Sequence, residues 1–352
     1  MESMIADMAE RMFSEQVTQQ TRSRAAQGEW QAALWRLIEE AGLPLAMVSE
    51  EAGGFGVATD EALSIVRIAG AHGAPVPLAE TIMANWLAAQ AGLPVSTEPQ
   101  AVADGTGLNL SKEGKGWMVS GTLNAVPWGR NADRIVLMLT HAGANYAVSL
   151  PTADLTFKTA ENLAGEPRDS TEVKLVLGGD QVAEVALPTD TLTHAGALMR
   201  SLSMAGALET VLEMCVSYAN ERVQFGRPIG KFQAIQQYLA TMAGEVAAAR
   251  AAAEMGADAF DGAPAPLLVA AAKLRTGEAS QTVAALAHQV HGAIGFTQEY
   301  ALHHFTKRVW SWRDEFGTER DWSRTLGKAA LADSSGNFWG FVTGTSGKGA
   351  LA

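Results

Sequence analysis

The first quarter of the chain carries hydrophobic residues at helical spacing. Two stripes recur every three or four positions, and their members are Met4, Ile5, Met8, Met12 and Phe13 in the first, and Trp30, Leu34, Leu37 and Ile38 in the second. Gly42 and Pro44 follow the second stripe and are typical helix terminators. The pattern predicts a helical N-terminal domain over residues 1–97.

From about residue 98 the helical period gives way to short alternating runs. Residues that favour strands form the segments 117–120, 134–139, 146–150 and 173–177, and Gly, Asn and Asp separate these segments. This spacing is typical of strands joined by hairpins. We therefore expect a barrel-like middle β-domain over residues 98–188.

The helical period then returns and holds to about residue 331. Four long segments, 194–223, 231–260, 265–291 and 298–313, are separated by Gly/Pro breaks. They predict a C-terminal four-helix bundle of antiparallel helices over residues 189–332. The tail, 333–352, is rich in Gly, Ser and Thr, and its residues 338–342 are expected to form an anchored aromatic patch. The protein is thus predicted to be mainly α, with a central β-domain.

Composition narrows the function classes. The chain has 352 residues and a net charge of −12, so we expect no nucleic-acid partner and no attachment to an anionic membrane. No apolar run reaches the ~18–20 residues of a spanning helix. The single cysteine, Cys215, lies in an apolar helical run, and the N-terminus is acidic rather than signal-like. Both features favour a cytoplasmic protein.

Two segments of the helical region combine glycine with polar residues. The first is ERVQFGRPIGKFQ (221–233), a helix end, a tight turn and a new helix start. The second is QVHGAIGFT (289–297), with glycines where a backbone must approach something closely. Arg222 at a helix end also complements the helix dipole, so a purely structural role would explain it. Together the segments indicate a site for an anion and a ring system.

Both segments resemble those of the acyl-CoA dehydrogenase family, which bind FAD across a subunit interface. The order of domains is similar over nearly the whole chain. The resemblance implies FAD as cofactor, an acyl-CoA thioester as substrate, and seven FAD contacts here: Arg222, Gln224, Phe225, Gln233, Gln289, Gly292 and Ala293. Arginine suits a pyrophosphate because the pairing is charge-assisted and often bidentate. Ala293 stands where the family has a second glycine.

The catalytic base is the main departure from the family. Counted on from Gly295, the residues Gly317 and Thr318 match the Gly-Thr that follows the family's catalytic glutamate, so Phe316 occupies the base position. The same match implies Thr318 as an FAD contact. Phenylalanine cannot accept the α-proton of the substrate.

The nearest acid to the base position is Glu315. Some family members carry the glutamate on the first helix of the bundle, but residues 196–201 here contain no acid. Glu315 or Asp314 could serve as the base if the loop is shifted by one residue, and Glu315 is the better candidate because it is closer to the matched position. The alternative is a structural salt bridge from Glu315 to Arg313 or Lys307.

The β-domain also departs from the family, whose Trp-x-Thr motif lines the flavin. The corresponding positions here hold Ala125 and Pro127, and Trp128 follows directly. Trp128 is a candidate flavin contact, with packing on the core as the alternative.

Three functions stay open at this point. The chain is either an FAD-dependent enzyme for α,β-dehydrogenation of an acyl-CoA, a non-catalytic subunit that completes a partner's FAD site, or a flavin-dependent monooxygenase on the same fold. It looks similar to the reduced subunit of heteromeric acyl-CoA dehydrogenases, some of which act on sterol side-chain thioesters. The matched segments predict a homodimer, a tetramer or a heteromer. We expect no metal, although His288 and His291 share a helix face.

Overall fold

The computed structural model of the protein describes residues 4–332 and Trp339. The described residues form ten α-helices, which are α1 Met4–Gln16, α2 Gln19–Ala25, α3 Ala32–Glu40, α4 Thr59–His72, α5 Leu78–Gln90, α6 Thr191–Glu221, α7 Gln233–Asp258, α8 Pro266–His291, α9 Leu302–Trp312 and α10 Glu319–Ala332. The ten strands are β1 Gln100–Val102, β2 Leu108–Glu113, β3 Gly116–Pro127, β4 Arg134–His141, β5 Ala144–Pro151, β6 Phe157–Lys158, β7 Arg168–Leu177, β8 Val182–Glu184, β9 Val223–Gln224 and β10 Arg227–Pro228. Apart from Trp339, the aromatic patch expected at 338–342 lies outside the described residues.

Contacts along the chain divide it into two compact units. Unit 1 contains the chain up to Ile65 together with Pro75–Gly196, and unit 2 contains Val66–Ala74 together with the chain from Ala197 onward. Unit 1 therefore includes the predicted β-domain and the predicted N-terminal domain apart from residues 66–74, which belong to unit 2. The division into domains at residues 97 and 188 stays a prediction.

The helices of unit 1 follow the hydrophobic stripes. In α3, the apolar side chains of Leu34, Trp35 and Ile38 are buried on one face. The α5 helix begins directly after Pro77. Most of its residues are apolar, and it is buried nearly all round. The fold class predicted from these stripes, mainly helical with a central β-region, is confirmed.

The strands of unit 1 form two four-stranded sheets. One has the order β1-β4-β5-β8, in which only β1 and β4 are parallel, and the other has the antiparallel order β2-β3-β7-β6. The described strands of unit 1 make two separate sheets and not one closed sheet. The expected barrel-like form therefore holds only loosely.

A bulge interrupts β3 between Leu123 and Val126, and Ala125 within it has a φ of +51°. Arg130 lies just beyond this strand. Its backbone N–H and guanidinium, together with the Ala160 N–H, donate hydrogen bonds to the fully buried carboxylate of Asp169 in β7. A buried carboxylate with so many charge-assisted bonds is firmly held. It anchors the end of β3 to β7.

Unit 2 is a helical layer around an apolar core that α6, α7, α8 and α9 share. Its buried members include Leu208 and Val211 of α6, Met242 of α7, Val283 of α8 and Val309 of α9. Cys215 is fully buried in this core, as its apolar helical setting predicts. Helix α8 and the first half of α6 are buried on several faces, whereas α7 leaves much of its surface exposed.

Within the described part of the chain, no helix combines the length and apolar character needed to cross a bilayer. Over the same residues, no group of three or more His, Cys, Asp or Glu side chains is arranged to hold a metal ion.

Candidate functional site

A two-residue hairpin follows α6 and exposes an aromatic side chain. Strands β9 and β10 are joined by Phe225 and Gly226, whose φ values are +51° and +76°. Positive φ at both central residues is the geometry of a type I′ turn, which favours Asn-Gly or Gly-Gly. Phe225 is 92% exposed, and its ring pairs with that of Phe232 in a T-shaped contact at 6.1 Å between ring centroids. A bulky residue in this conformation is strained, and such strain is typical of functional positions.

Arg222 stands at the base of this hairpin. Its backbone N–H donates to the carbonyl of Tyr218, and its carbonyl accepts from Ile229 at 2.8 Å. The main chain is therefore fixed, while the side chain is exposed and has no hydrogen-bond or ion-pair partner among the described residues. Gln224 and Gln233 are exposed close by in sequence. The guanidinium is free to bind an external anion.

The second predicted segment forms a 3₁₀ turn after α8. Gly292 has φ +64° and ψ −142°, a conformation essentially reserved for glycine, and a Cβ there would meet no atom within 4 Å. Gly295 is buried, and a Cβ on it would lie 3.1–3.2 Å from neighbouring side chains. Gln289 and Ala293 are exposed. The turn thus presents an open backbone surface at Gly292 and packs tightly at Gly295.

An aromatic cluster joins the two segments. The ring of Tyr218, one turn before Arg222, stacks on the His291 imidazole at 4.5 Å and 25°, and His291 bonds to the hydroxyl of Tyr300 at 3.1 Å. Cys215 lies 3.8 Å from the same imidazole. The stacking of Tyr218 on His291 therefore places the end of α6, which Arg222 follows, beside the end of α8, which Gly292 follows. The role of the seven residues as FAD contacts stays a prediction.

The segment around the predicted base has a different character. Phe316 and Gly317 again have positive φ, +54° and +94°. Here, however, Glu315 Oε2 lies 2.7 Å from Nε of Arg200, whose side chain is only 4% exposed, and the guanidinium also lies over the Phe316 ring at 5.8 Å. The alternative partner expected for Glu315, Arg313, instead pairs with Glu319 at 2.8 Å.

Lys273 of α8 bonds to both ends of the segment 313–317. Its Nζ donates to the carbonyls of Arg313 and Gly317 at 2.6 and 2.9 Å. Burial lowers the pKa of Lys273 to about 8, against the opposing effect of Glu319 and Glu315. The Trp322 indole N–H also donates to the Phe316 and Gly317 carbonyls.

The last two predicted contacts have structural partners. Thr318 lies directly before α10, and its N–H and hydroxyl both donate to the carboxylate of Asp321 in the first turn; these bonds lower the pKa of Asp321. Trp128 is buried in unit 1 with its ring edge against Trp30, at 6.3 Å between centroids. That position is the core packing named above as its alternative role. Their assignment as FAD contacts stays a prediction.

Sequence reasoning missed Arg200 and Lys273, and it considered His291 only as a metal ligand. The signal for the two cations was a single charge inside an apolar helical run, at Met199-Arg200-Ser201 and Ala272-Lys273-Leu274. Such residues are seldom buried unless they are paired. Their partners, however, lie 40 or more positions away along the chain.

Comparison with known proteins identifies the family of this chain. A family model described as "Acyl-CoA dehydrogenase, C-terminal domain" matches residues 188–320, and one described as "Acyl-CoA dehydrogenase, N-terminal domain" matches residues 1–100. The protein belongs to the acyl-CoA dehydrogenase family, a family of flavoprotein oxidoreductases.

The individual relatives share less than a third of their residues with this chain. The chain is 29% identical to acyl-CoA dehydrogenase IpdE2 of Mycobacterium tuberculosis (strain ATCC 25618 / H37Rv), over 79% of this chain and 80% of that protein. Its fold is similar to that in the ChsE4-ChsE5 complex from Mycobacterium tuberculosis, with a TM-score of 0.85 and 22% identity over 94% of this chain and 96% of that one. A variant of the steroid ACAD Tcur3481-Tcur3483 gives a TM-score of 0.82 and 24% identity, over 95% and 98% of the two chains.

Proposed function

We propose that this chain is the supporting subunit of a heteromeric acyl-CoA dehydrogenase, in which it completes the FAD site of a partner chain. The observation that carries the proposal is the ion pair between Arg200 and Glu315. A catalytic base must accept the α-proton of the thioester. If Glu315 accepted it, the buried Arg200 would lose its counter-charge, which costs several kcal/mol. Glu315 is therefore a poor base, and Phe316 beside it cannot act as one.

Unlike the ion-paired Glu315, the residues that would face a partner's cofactor are exposed. Arg222 has a fixed backbone and a free guanidinium, Phe225 is exposed on a strained turn, and Gly292 leaves open space where a side chain would stand. These features fit a dinucleotide that brings a pyrophosphate and a flat ring. Bound FAD would supply the acceptor for the hydride of the substrate's β-carbon.

Each residue then has a limited task in this proposal. Arg222 pairs with the pyrophosphate, and Phe225 packs beside the cofactor. Gly292 and Ala293 let it approach the backbone, and the exposed amides of Gln224, Gln233 and Gln289 are hydrogen-bonding groups at its edge. All of these act by binding and orienting, and none of them moves a proton.

The names of two structural neighbours support the choice of partner and substrate to assay. One neighbour is a complex of two named chains, ChsE4 and ChsE5, and the other is named a steroid ACAD. A second acyl-CoA dehydrogenase chain is accordingly the proposed partner. A steroid-derived acyl-CoA is the first substrate to test.

The visible spectrum of the purified protein tests the proposal. Expressed alone, the chain should be colourless, and co-expressed with a neighbouring dehydrogenase gene it should purify with bound flavin that an acyl-CoA bleaches. Flavin retained by the chain alone and bleached by an acyl-CoA would instead establish it as an enzyme in its own right. In that case Glu315→Gln would show whether Glu315 is the base. Bleaching only by a reductase, followed by an oxygen-dependent product, would identify a monooxygenase.

Arg222→Ala tests the cofactor assignment directly. Loss of a charge-assisted contact should weaken FAD binding to the heteromer by about tenfold or more. Arg24→Ala is the control, because Arg24 is an exposed arginine of unit 1 in a loose ion pair. Fluorescence titration with FAD measures the affinities, and denaturant unfolding measures stability. If Arg222→Ala lowers stability as much as affinity, Arg222 is a helix cap and the assignment fails.

A further inference from the structure

His291 connects the two segments proposed to bind FAD. It is the last residue of α8 and is 4% exposed, and Gly292 follows it directly. Its imidazole stacks on Tyr218, whose carbonyl accepts the backbone N–H of Arg222. The buried side chain of His291 therefore contacts Tyr218, to which the base of the hairpin is hydrogen-bonded, and the backbone of His291 leads directly into the turn after α8.

Both ring nitrogens of His291 have partners, and the partners determine its tautomer. Nδ1 lies 2.8 Å from the carbonyl oxygen of Ala287, and Nε2 lies 3.1 Å from the hydroxyl of Tyr300. A carbonyl can only accept, so Nδ1 carries the proton, and Nε2 is left to accept the phenolic O–H. Burial also lowers the pKa of His291. The thiol of Cys215 remains protonated beside it, because burial raises its pKa to about 12.

We propose that His291 is a positioning residue for FAD: as the neutral Nδ1–H tautomer between Tyr218 and Tyr300, it holds the Arg222 hairpin in place against the turn that begins at Gly292. This inference rests on the proposed function, because it takes these two segments as the FAD-binding surface. The imidazole is buried, so it acts through the backbones and rings it supports.

Protonation disturbs this arrangement in a defined way. A protonated Nε2 becomes a donor that faces the Tyr300 O–H, and the hydroxyl must then rotate to accept. The titratable groups around the ring are Cys215 and Tyr218 of α6, Tyr300, and His288 on its own helix. Burial together with the neighbouring Cys215 and Glu221 raises the pKa of Tyr300, so the phenol stays protonated.

FAD affinity should therefore be constant above about pH 6.5, the ordinary pKa of histidine, and should fall only as the pH drops through the lowered pKa of His291 below that value. The direction follows from the lowered pKa of His291, which means that the folded site favours the neutral ring. Folding stability changes in the same direction, because the unfolded chain takes up the proton first as the pH falls.

The test compares two buried histidines in the FAD-loaded heteromer. His291→Gln is the variant. His194→Gln is the matched control, because His194 is 7% exposed and its Nδ1 also lies 2.9 Å from the carbonyl four residues earlier. His194 belongs to unit 1 and to no proposed FAD contact. Tyr300→Phe removes only the hydroxyl that donates to Nε2. FAD dissociation constants and unfolding midpoints are measured from about pH 7.5 to about pH 5.5.

We expect His291→Gln to raise the FAD dissociation constant by about tenfold and His194→Gln to leave it unchanged, at similar shifts in unfolding midpoint. Tyr300→Phe should give an intermediate loss, and the acid-dependent loss of affinity should disappear in His291→Gln. Unchanged FAD affinity in His291→Gln, with Arg222→Ala still weakened, would overturn the positioning role alone. Absence of FAD from the wild-type heteromer would overturn the proposed function itself, and the positioning role with it.

Discussion

Two phenylalanines of unit 2 share a backbone conformation and differ in their surroundings. Phe225 and Phe316 both have φ near +50°, and each is followed by a glycine with positive φ. Around Phe316, Arg200, Lys273 and Trp322 bond to the loop or its neighbours. Around Phe225, the ring contact found among the described residues is the T-shaped pair with Phe232.

The comparison shows two ways in which a strained residue can be kept. Such a conformation costs about 1–3 kcal/mol and persists only when surrounding contacts compensate for it. At Phe316 the compensation comes from the chain's own buried cations, which leaves no free base. At Phe225 it is missing within the described residues, so we infer that a ligand or partner supplies it.

Removing the Arg200–Glu315 ion pair beside Phe316 should have the largest effect on stability. Arg200→Ala leaves Glu315, which is 17% exposed, without its counter-charge and should lower the free energy of unfolding by about 3 kcal/mol. Arg24→Ala breaks an exposed pair at 3.6 Å and should change it by less than about 0.5 kcal/mol. Denaturant unfolding measures both values. Equal, small effects would mean that the Arg200–Glu315 pair does not stabilise the loop.

The second-largest change in stability is expected at Gly292, in the turn after α8. Gly292→Ala meets no neighbouring atom, yet it places a side chain at φ +64° and ψ −142°, so it should destabilise the protein by about 1–3 kcal/mol. Gly244→Ala is the control, since Gly244 also has open space but lies within α7. That substitution should stabilise by about 0.5–1 kcal/mol. Equal thermal shifts for the two variants would show that backbone conformation does not matter at Gly292.

The smallest change in stability is expected at the hairpin. Phe225→Asn creates the Asn-Gly pair that a type I′ turn favours, so it should stabilise the chain by about 0.5–1 kcal/mol. FAD binding to the heteromer should weaken at the same time. Phe316→Asn is the matched change at a similar φ, but it also removes the ring contact with Arg200 and should not stabilise. A loss of stability in Phe225→Asn would contradict the idea that Phe225 is kept for binding.

Much of the fold could be predicted because its signals are local. The stripe at Leu34 and Ile38 marks α3, and the short apolar run at 134–139 lies within β4. Glycine and proline at 226–230 mark the break between α6 and α7. Each signal depends on a period of two or 3.6 residues, which a single segment expresses without its neighbours.

The ends of the long helices could be predicted for the same reason, and with them the position of the two segments proposed to bind FAD. Arg222 directly follows α6, and Gly292 directly follows α8, as the hydrophobic pattern and the glycines indicate. The burial of Cys215 also followed from its apolar neighbours in the helix.

Only the tertiary structure decided which groups meet. Arg200 and Glu315 are 115 positions apart, and the sequence pointed to Arg313 as a partner for Glu315 because Arg313 is close along the chain. The packing of Trp128 on Trp30 likewise depends on two distant segments of unit 1. Local periodicity encodes helices and strands, but side-chain pairing depends on how those elements pack. That pairing is what separates a carboxylate free to act as a base from one bound to a buried arginine.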